Sequence, residues 1–373
     1  MIPFNKPYLT GKETKYIEEA VASGKISGNG NFTQKCQKFF EEKYGFKKAL
    51  LTTSCTDALE MCAMLANIKS GDEVIIPSYT FVSSALPFVR EGTKIVFADS
   101  CRENPNIDAE KIEELITSKT KAIVVVHYAG ISCDMEKIMQ LSAKYNLIII
   151  EDAAQAIDRY FTYSTLEKKP LGSIGHLAAF SFHETKNIIS GEGGMLTIND
   201  EKYIPRAEII WEKGTNRTQF FRGEINKYGW VDTGSSFLPS EIISAFLWAQ
   251  LENLDLIQKK RMSIWNIYYR NLKENLYFSV PNLPNYATNN AHMFYIVFKN
   301  LKDRTAMINK LKSEDILAVF HYLSLHKSDF YHDKHDGRDL ENSDRFEDCL
   351  LRLPLYFELT AEQQQKIISI INS

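Results

Sequence analysis

Leu147-Ile148-Ile149-Ile150-Glu151-Asp152-Ala153-Ala154-Gln155 is the stretch on which the reading of this chain turns. Four consecutive aliphatic residues, three of them β-branched, carry no helical period and suit a strand buried on both faces. Asp152 stands where that strand ends. A carboxylate at the end of an apolar strand is costly unless it is paired, so the position asks for a cation or for the start of a helix.

Other short apolar runs lie upstream, at Ala49-Leu50-Leu51-Thr52, Glu73-Val74-Ile75-Ile76, Lys94-Ile95-Val96-Phe97 and Lys121 to Val126. Between them, Thr56 to Ala66, Phe81 to Arg90 (despite Pro87) and Asp134 to Tyr145 read as helices, with Asp134 as an N-cap. This alternation predicts an α/β domain with a largely parallel sheet. Such sheets bind ligands at the C-terminal ends of their strands, where Thr53-Ser54, Pro77-Ser78, His127 and Asp152 all fall. Beyond Gly194, Met195 to Ile198 reads as a further strand and Pro239 to Leu276 as mostly helix. The tail changes character, with a strand at Met293 to Val297, a helix at Arg304 to Lys312 and a strand at Leu317 to Phe320. The predicted division is a large domain over 1–255 and a smaller α+β domain over 256–373.

Composition narrows the function. The 373 residues hold 44 Lys plus Arg against 47 Asp plus Glu, a net charge of -3. No global basic field is available for nucleic acid or an anionic membrane. No apolar run approaches the ~20 residues that span a bilayer. The first residues lack a basic segment followed by an apolar one, so no signal peptide is expected and the cytoplasm is the expected location. The six cysteines are scattered without a C-x-x-C, and no metal site is expected. Neither a P-loop, nor a G-x-G-x-x-G turn, nor a G-x-S-x-G elbow is present, which argues against a dinucleotide-binding oxidoreductase of the Rossmann type.

The chemistry centres on Lys186, in Ser181-Phe182-His183-Glu184-Thr185-Lys186-Asn187, just before Gly191-Glu192-Gly193-Gly194. A lysine following a small and aromatic strand loses solvation, which lowers its pKa and favours attack on an aldehyde. Asp152 suits a pyridinium nitrogen. Gln155 would reach a ring hydroxyl from one helical turn further on. Ser181 and the strand-to-helix junction Ser54-Cys55-Thr56 suit a phosphate, since free N–H groups and the helix dipole favour an anion there. Phe81 offers a face for the ring. Together these residues match the needs of pyridoxal phosphate, which takes an amine, a carboxylate and a phosphate cradle.

At these positions the chain resembles the DegT/DnrJ/EryC1/StrS family of sugar aminotransferases, along nearly its whole length. Pro77-Ser78-Tyr79-Thr80-Phe81-Val82-Ser83, Val126-His127-Tyr128-Ala129-Gly130, Ser181 to Asn187, Glu212-Lys213-Gly214-Thr215-Asn216-Arg217 and Ala318-Val319-Phe320-His321-Tyr322 carry the resemblance. It implies a type I (aspartate aminotransferase-like) fold and a homodimer with shared active sites. Lys186 would hold pyridoxal phosphate covalently, and the cofactor would alternate with pyridoxamine phosphate. Asp152 would pair with the ring nitrogen, Gln155 with the ring hydroxyl and Phe81 with the ring face, while Ser54, Cys55, Thr56 and Ser181 surround the phosphate. Many members carry Asn-Tyr-Arg where this chain has Ser235-Ser236-Phe237-Leu238, so Ser236 takes the place of an Asn that serves the partner subunit's phosphate.

The implied reaction is amino transfer from L-glutamate to a dTDP-linked ketosugar, dTDP-4-keto-6-deoxyglucose, with the galacto product favoured over the gluco. Arg217, Arg222 and His321 are the expected substrate contacts. His183, two residues after Ser181, points to amination at C4, because the family's 3-aminotransferases tend to carry Tyr there. A 3-aminotransferase is the nearest alternative. A dehydratase relative would have His in place of Lys186, and a regulator would need a DNA-binding segment ahead of the first motif.

Overall fold

The computed structural model describes residues 1–373, and the apolar runs become strands in turn: β1 (Lys48–Thr52), β2 (Glu73–Pro77), β3 (Lys94–Ala98), β4 (Thr120–Val126) and β5 (Ile148–Asp152). A small hairpin follows, β6 (Tyr160–Thr162) with β7 (Lys168–Pro170), and then β8 (Leu177–Ser181) and β9 (Gly194–Ile198). Seven of these form one sheet in the order β1-β9-β8-β5-β4-β2-β3. The pairings among β3, β2, β4, β5 and β8 are parallel, while β9 runs antiparallel to both β8 and β1. The sheet is therefore mostly parallel, with β9 alone reversed.

The chain forms twelve α-helices. They are α1 (Glu13–Ala22), α2 (Asn31–Tyr44), α3 (Cys55–Leu65), α4 (Leu86–Arg90), α5 (Met135–Tyr145) and α6 (Ile204–Trp211). The second half adds α7 (Arg217–Phe221), α8 (Glu241–Leu251), α9 (Leu254–Leu272), α10 (Leu301–Ser313), α11 (Glu341–Cys349) and α12 (Ala361–Asn372). One face of the sheet packs against α2, α5 and α8, through Phe40, Ile138 and Leu247. The other packs against α3, α4 and α6, through Leu59, Phe88 and Trp211. No helix is long and apolar enough to cross a membrane.

Asp134 caps α5 as its sequence suggests, its side chain accepting from the Lys137 N–H at 3.2 Å. Phe81 to Arg90 is not one helix. Val82–Ser84 makes a 3₁₀ turn, and α4 starts afresh at Leu86 with Pro87 in its first turn, where a missing N–H is tolerated.

A second sheet is antiparallel, with β11 (Phe294–Phe298) between β10 (Phe278–Ser279) and β12 (Leu350–Leu353). The expected strand over Leu317 to Phe320 does not form. Its Leu317 N–H donates to the Ile2 carbonyl at 3.0 Å and Val319 exchanges two backbone hydrogen bonds with Arg352, but no continuous ladder follows, because the chain then turns to deliver His321 and Tyr322 to a cavity. The long helix α9 links the two cores. Its Leu254 and Ile257 belong to the large-sheet core, whereas Ile264, Trp265, Tyr268 and Leu272 pack under the small sheet.

β5 positions the chemistry. Successive strand residues face opposite sides of a sheet, so Glu151 and Asp152 diverge although they are adjacent. Glu151 is fully buried and accepts four hydrogen bonds, from His127 Nε2 at 2.9 Å and from the N–H groups of Gly172, Ile174 and Gly175 at 2.8, 2.8 and 2.6 Å. That anchors the segment leading into β8. Asp152 faces the cavity.

Candidate active site

A cavity of about 820 Å³ opens where the C-terminal ends of β5 and β8, the start of α3 and the small sheet meet. At one end, Ser54 ends the approach to α3 in an extended conformation, and its hydroxyl accepts from the Asp57 N–H at 3.0 Å. Its side chain is thus an N-cap. The N–H groups of Cys55 and Thr56 in the first turn have no intrahelical acceptor, which leaves an anion site. Thr56 donates its hydroxyl proton to Ser83 Oγ at 2.8 Å. Gly194 makes the junction possible, since a Cβ there would lie 2.3 Å from the Ser54 backbone. Gly194→Ala should cost ~1–3 kcal/mol in thermal unfolding, because backbone rather than a mobile side chain must yield. It should also weaken pyridoxal phosphate binding; values unchanged from the wild type would mean that β9 moves aside freely.

Asp152 is buried, and no helix follows it, so it is not an N-cap. Its carboxylate accepts from the Ser84 hydroxyl at 2.6 Å and from the Ala154 N–H at 3.1 Å. Burial pushes its carboxyl above the usual range, and those two donors and the Lys186 charge pull it back. Gln155 sits on turns rather than one helical turn beyond Asp152, yet it still lines the cavity. The Ala129 N–H donates to its Oε1 at 2.6 Å, which turns the amide NH₂ inward, where it donates to the Tyr322 hydroxyl at 2.9 Å.

Lys186 projects from a turn held by its own N–H donating to the His183 carbonyl at 2.8 Å. No carboxylate forms an ion pair with its amine, and burial lowers its pKa, partly opposed by Cys55 and Asp152. The next residue locks the turn. Asn187 Nδ2 donates to Gln258 Oε1 and to the Asn290 carbonyl, both at 2.8 Å, and its Oδ1 lies 3.0 Å from His292 Nδ1.

Phe81 is 56% exposed, with its ring 6.1 Å from that of Tyr322, so it belongs to the cavity and not to the core. Ser181 ends β8, where its Oγ accepts from the His183 N–H at 3.3 Å. His183 lies on the rim, its Nδ1 2.9 Å from Thr185 Oγ1 and its Nε2 3.6 Å from a Glu192 oxygen. His321 stacks on Tyr322, with centroids 3.5 Å apart, and its Nδ1 is 2.7 Å from the Tyr128 hydroxyl. Burial holds it well below the usual histidine pKa.

Three expected residues stand apart from this cavity. Ser236 is exposed and bridges to Glu212. Arg222 pairs with Glu208 at 2.7 Å and Glu224 at 2.6 Å, and Arg217 lies over the Phe221 ring at 5.1 Å. The sequence reading missed Ser84, Asn187, His292, Tyr322 and Arg352, which touch the cavity or the groups that line it. Ser84 has the clearest signal, in the polar pair Ser83-Ser84 that follows Phe81-Val82.

A mostly parallel sheet that brings an unpaired lysine, a buried aspartate and a helix N-terminus to one cavity has the architecture of the type I fold. The chain belongs to the DegT/DnrJ/EryC1/StrS aminotransferase family, whose sequence model matches residues 7–372. It is 30% identical over 378 residues to GDP-perosamine synthase of Escherichia coli O157:H7, covering 100% of this chain and 98% of that one. It is also 30% identical to the spore coat polysaccharide biosynthesis protein SpsC of Bacillus subtilis, covering 99% and 96%. Among solved structures, the aminotransferase TlmJ of Streptoalloteichus hindustanus matches with a TM-score of 0.91 at 25% identity, covering 100% of this chain and 98% of TlmJ. PseC of Helicobacter pylori, an aminotransferase involved in the biosynthesis of pseudoaminic acid, matches with a TM-score of 0.90 at 26% identity, covering 100% and 98%. The enzymes of this family depend on pyridoxal phosphate, and the donor set here fits that group: an amine free of ion pairs, a buried carboxylate, an inward amide and a helix start whose first N–H groups have no intrahelical acceptor.

Proposed function

We propose that this enzyme transfers the amino group of L-glutamate to C4 of dTDP-4-keto-6-deoxyglucose, giving dTDP-4-amino-4,6-dideoxygalactose. The observation that carries the catalytic part is the meeting of Lys186 and Asp152 in one cavity, the first without an ion-pair partner and the second buried. When bound, pyridoxal phosphate supplies the aldehyde carbon that takes up the amino group and a ring that accepts electrons from the donor's Cα. Lys186 anchors it and, once its amine is free, takes the proton from Cα; a lowered pKa keeps that amine ready to accept. Asp152 holds a proton on the ring nitrogen. Gln155 orients the ring through its hydroxyl, Phe81 covers one face, and Ser54, Cys55, Thr56 and Ser181 hold the phosphate.

His183 supports amination at C4, because an imidazole on the cavity rim leaves different room and hydrogen bonds from a phenol. Reaction needs the sugar carbonyl carbon within about 3–3.5 Å of the attacking amine, so the sugar's orientation selects C4 or C3. The reading includes a cytoplasmic homodimer in which Ser236 and the Arg217–Arg222 segment serve the neighbouring subunit's cavity and His321 its own. The exposed Phe221 and Trp230, 69% and 82% accessible, support a second copy on that side. The names of the GDP-perosamine synthases make GDP the rival nucleotide. The test is NMR of the product formed from L-glutamate and a panel of dTDP-, UDP- and GDP-linked 3-keto and 4-keto sugars. We expect an axial amine on C4 of the dTDP sugar. An amine on C3, or turnover confined to GDP sugars, would reject the reading.

A further inference from the structure

The two walls of the cavity mouth are tied together at a buried point that the chemistry described so far does not use. Phe81 follows β2 and Tyr322 lies on the turn after Val319, and their rings are 6.1 Å apart. Three residues before Phe81 stands Ser78, and four residues after Tyr322 stands His326. Ser78 Oγ lies 2.7 Å from His326 Nδ1, across 248 positions of sequence. The serine is fully buried and the histidine is 7% exposed. The Ser78 carbonyl also accepts from the N–H groups of Thr80 and Leu325, at 3.1 and 3.0 Å. Both walls are therefore rooted at Ser78.

The protons of this contact can be placed. Ser78 Oγ accepts from the His326 N–H at 3.3 Å, and its other partner is Nδ1. The hydroxyl must then donate to Nδ1, which leaves that nitrogen bare and puts the ring proton on Nε2. Nε2 faces Asp344 Oδ1 at 3.5 Å, an oxygen with no hydrogen bond of its own. A second ring proton, on Nδ1, would point at the Ser78 hydroxyl, whose own proton would lose its acceptor. Burial holds the His326 pKa below the usual histidine value; Asp344 and Glu347 on α11 oppose this, while His335 and Lys327 reinforce it.

We propose that His326 is a positioning residue: through Ser78 it holds Phe81 in place opposite Tyr322, and it lets go when its ring takes up a second proton. A histidine of this kind contributes stability that is present above its unfolded pKa of about 6.5 and is lost as the pH falls through the lower folded value. The hold therefore weakens on the acid side. The inference is independent of the sugar and of the amino donor, and rests only on Phe81 covering the cofactor ring.

The probe is pyridoxamine phosphate, which forms no bond to Lys186, and calorimetry gives its Kd for the full-length enzyme freed of cofactor. At about pH 8, Ser78→Ala should raise that Kd on the order of tenfold, the scale of one buried hydrogen bond. His326→Asn sets a carbonyl oxygen near the place of Nδ1, able to accept from Ser78 without titrating, and should bind within about twofold of the wild type. Between about pH 8 and about pH 5.5, the wild type should lose about fivefold more affinity than His326→Asn. Titration of the probe's phosphate and of Lys186 is common to both proteins and cancels. In a Phe81→Ala background, Ser78→Ala should add less than about twofold, because the hold has nothing left to position.

If Ser78→Ala lowers the melting temperature but leaves the Kd unchanged, the contact only braces the fold and the proposal is overturned. A loss that simply adds to that of Phe81→Ala overturns it too, as does an equal acid loss in His326→Asn, which would point to His335. Should His326→Asn fail to fold, Ser78→Ala decides the acid arm. Its affinity should change less steeply with pH than that of the wild type, and an equal slope overturns the release. If Phe81→Ala binds as tightly as the wild type, the role given to Phe81 falls, and this inference with it.

Discussion

Lys186→Ala should lower kcat at least about 10⁴-fold, since it removes both the covalent anchor and the group that moves the Cα proton. The fold should survive. Lys186 makes no ion pair, and only its backbone N–H holds the turn, a bond that alanine keeps. Removing a partly buried amine that lacks a counter-ion should leave thermal stability within ~1 kcal/mol of the wild type. Borohydride treatment followed by peptide mass analysis should find cofactor bonded to Lys186 in the wild type and to no residue in the variant. Transamination by Lys186→Ala near the wild-type rate would overturn the assignment, as would reduced cofactor on another lysine.

Asp152→Asn should lower kcat by roughly 10²–10³-fold, the range seen when a charge placed for the transition state is removed. Asparagine keeps the size; its one oxygen can still accept from the Ala154 N–H, while its NH₂ would face the Ser84 hydroxyl, which can turn to accept, so the loss reports mainly charge rather than shape. Pyridoxal phosphate should still bind through the start of α3, with an altered absorption spectrum because the ring nitrogen has lost its counter-ion. Ordinary kinetics with an unchanged spectrum would mean that the carboxylate only ties Ser84 to Ala154.

How far the sequence could be read depended on whether the deciding contact was local. β1 to β5, β8 and β9 were legible because strands buried on both faces are continuous apolar runs. The reversed direction of β9 was not, since a five-residue run reads alike in both senses. Leu317 to Phe320 looked like a strand on composition, but strand formation needs a partner, and β12 pairs with β11 instead. Lys186 and Asp152 announce themselves through their flanking residues. Arg352 does not. In Leu350-Leu351-Arg352-Leu353 it reads as one charge interrupting an apolar strand, and only the crossing of β12 beside Val319 brings it to the cavity, 166 positions beyond Lys186. Arg222 was expected at the substrate because basic residues suit a diphosphate. Within one chain, two acidic neighbours already hold it, Glu224 two residues on and Glu208 on α6.

Glu151 and Asp152 are joined by one peptide bond yet meet different physical demands. The first keeps four donors supplied on the closed side of the sheet, and the second serves the open side. A lineage that no longer needed catalysis could drift at Asp152 and Lys186 and still inherit a sound architecture. Drift at Glu151 has no such latitude, because one substitution strips His127, Gly172, Ile174 and Gly175 of their shared acceptor. The alternation of a single strand thus lets the architecture outlive the activity.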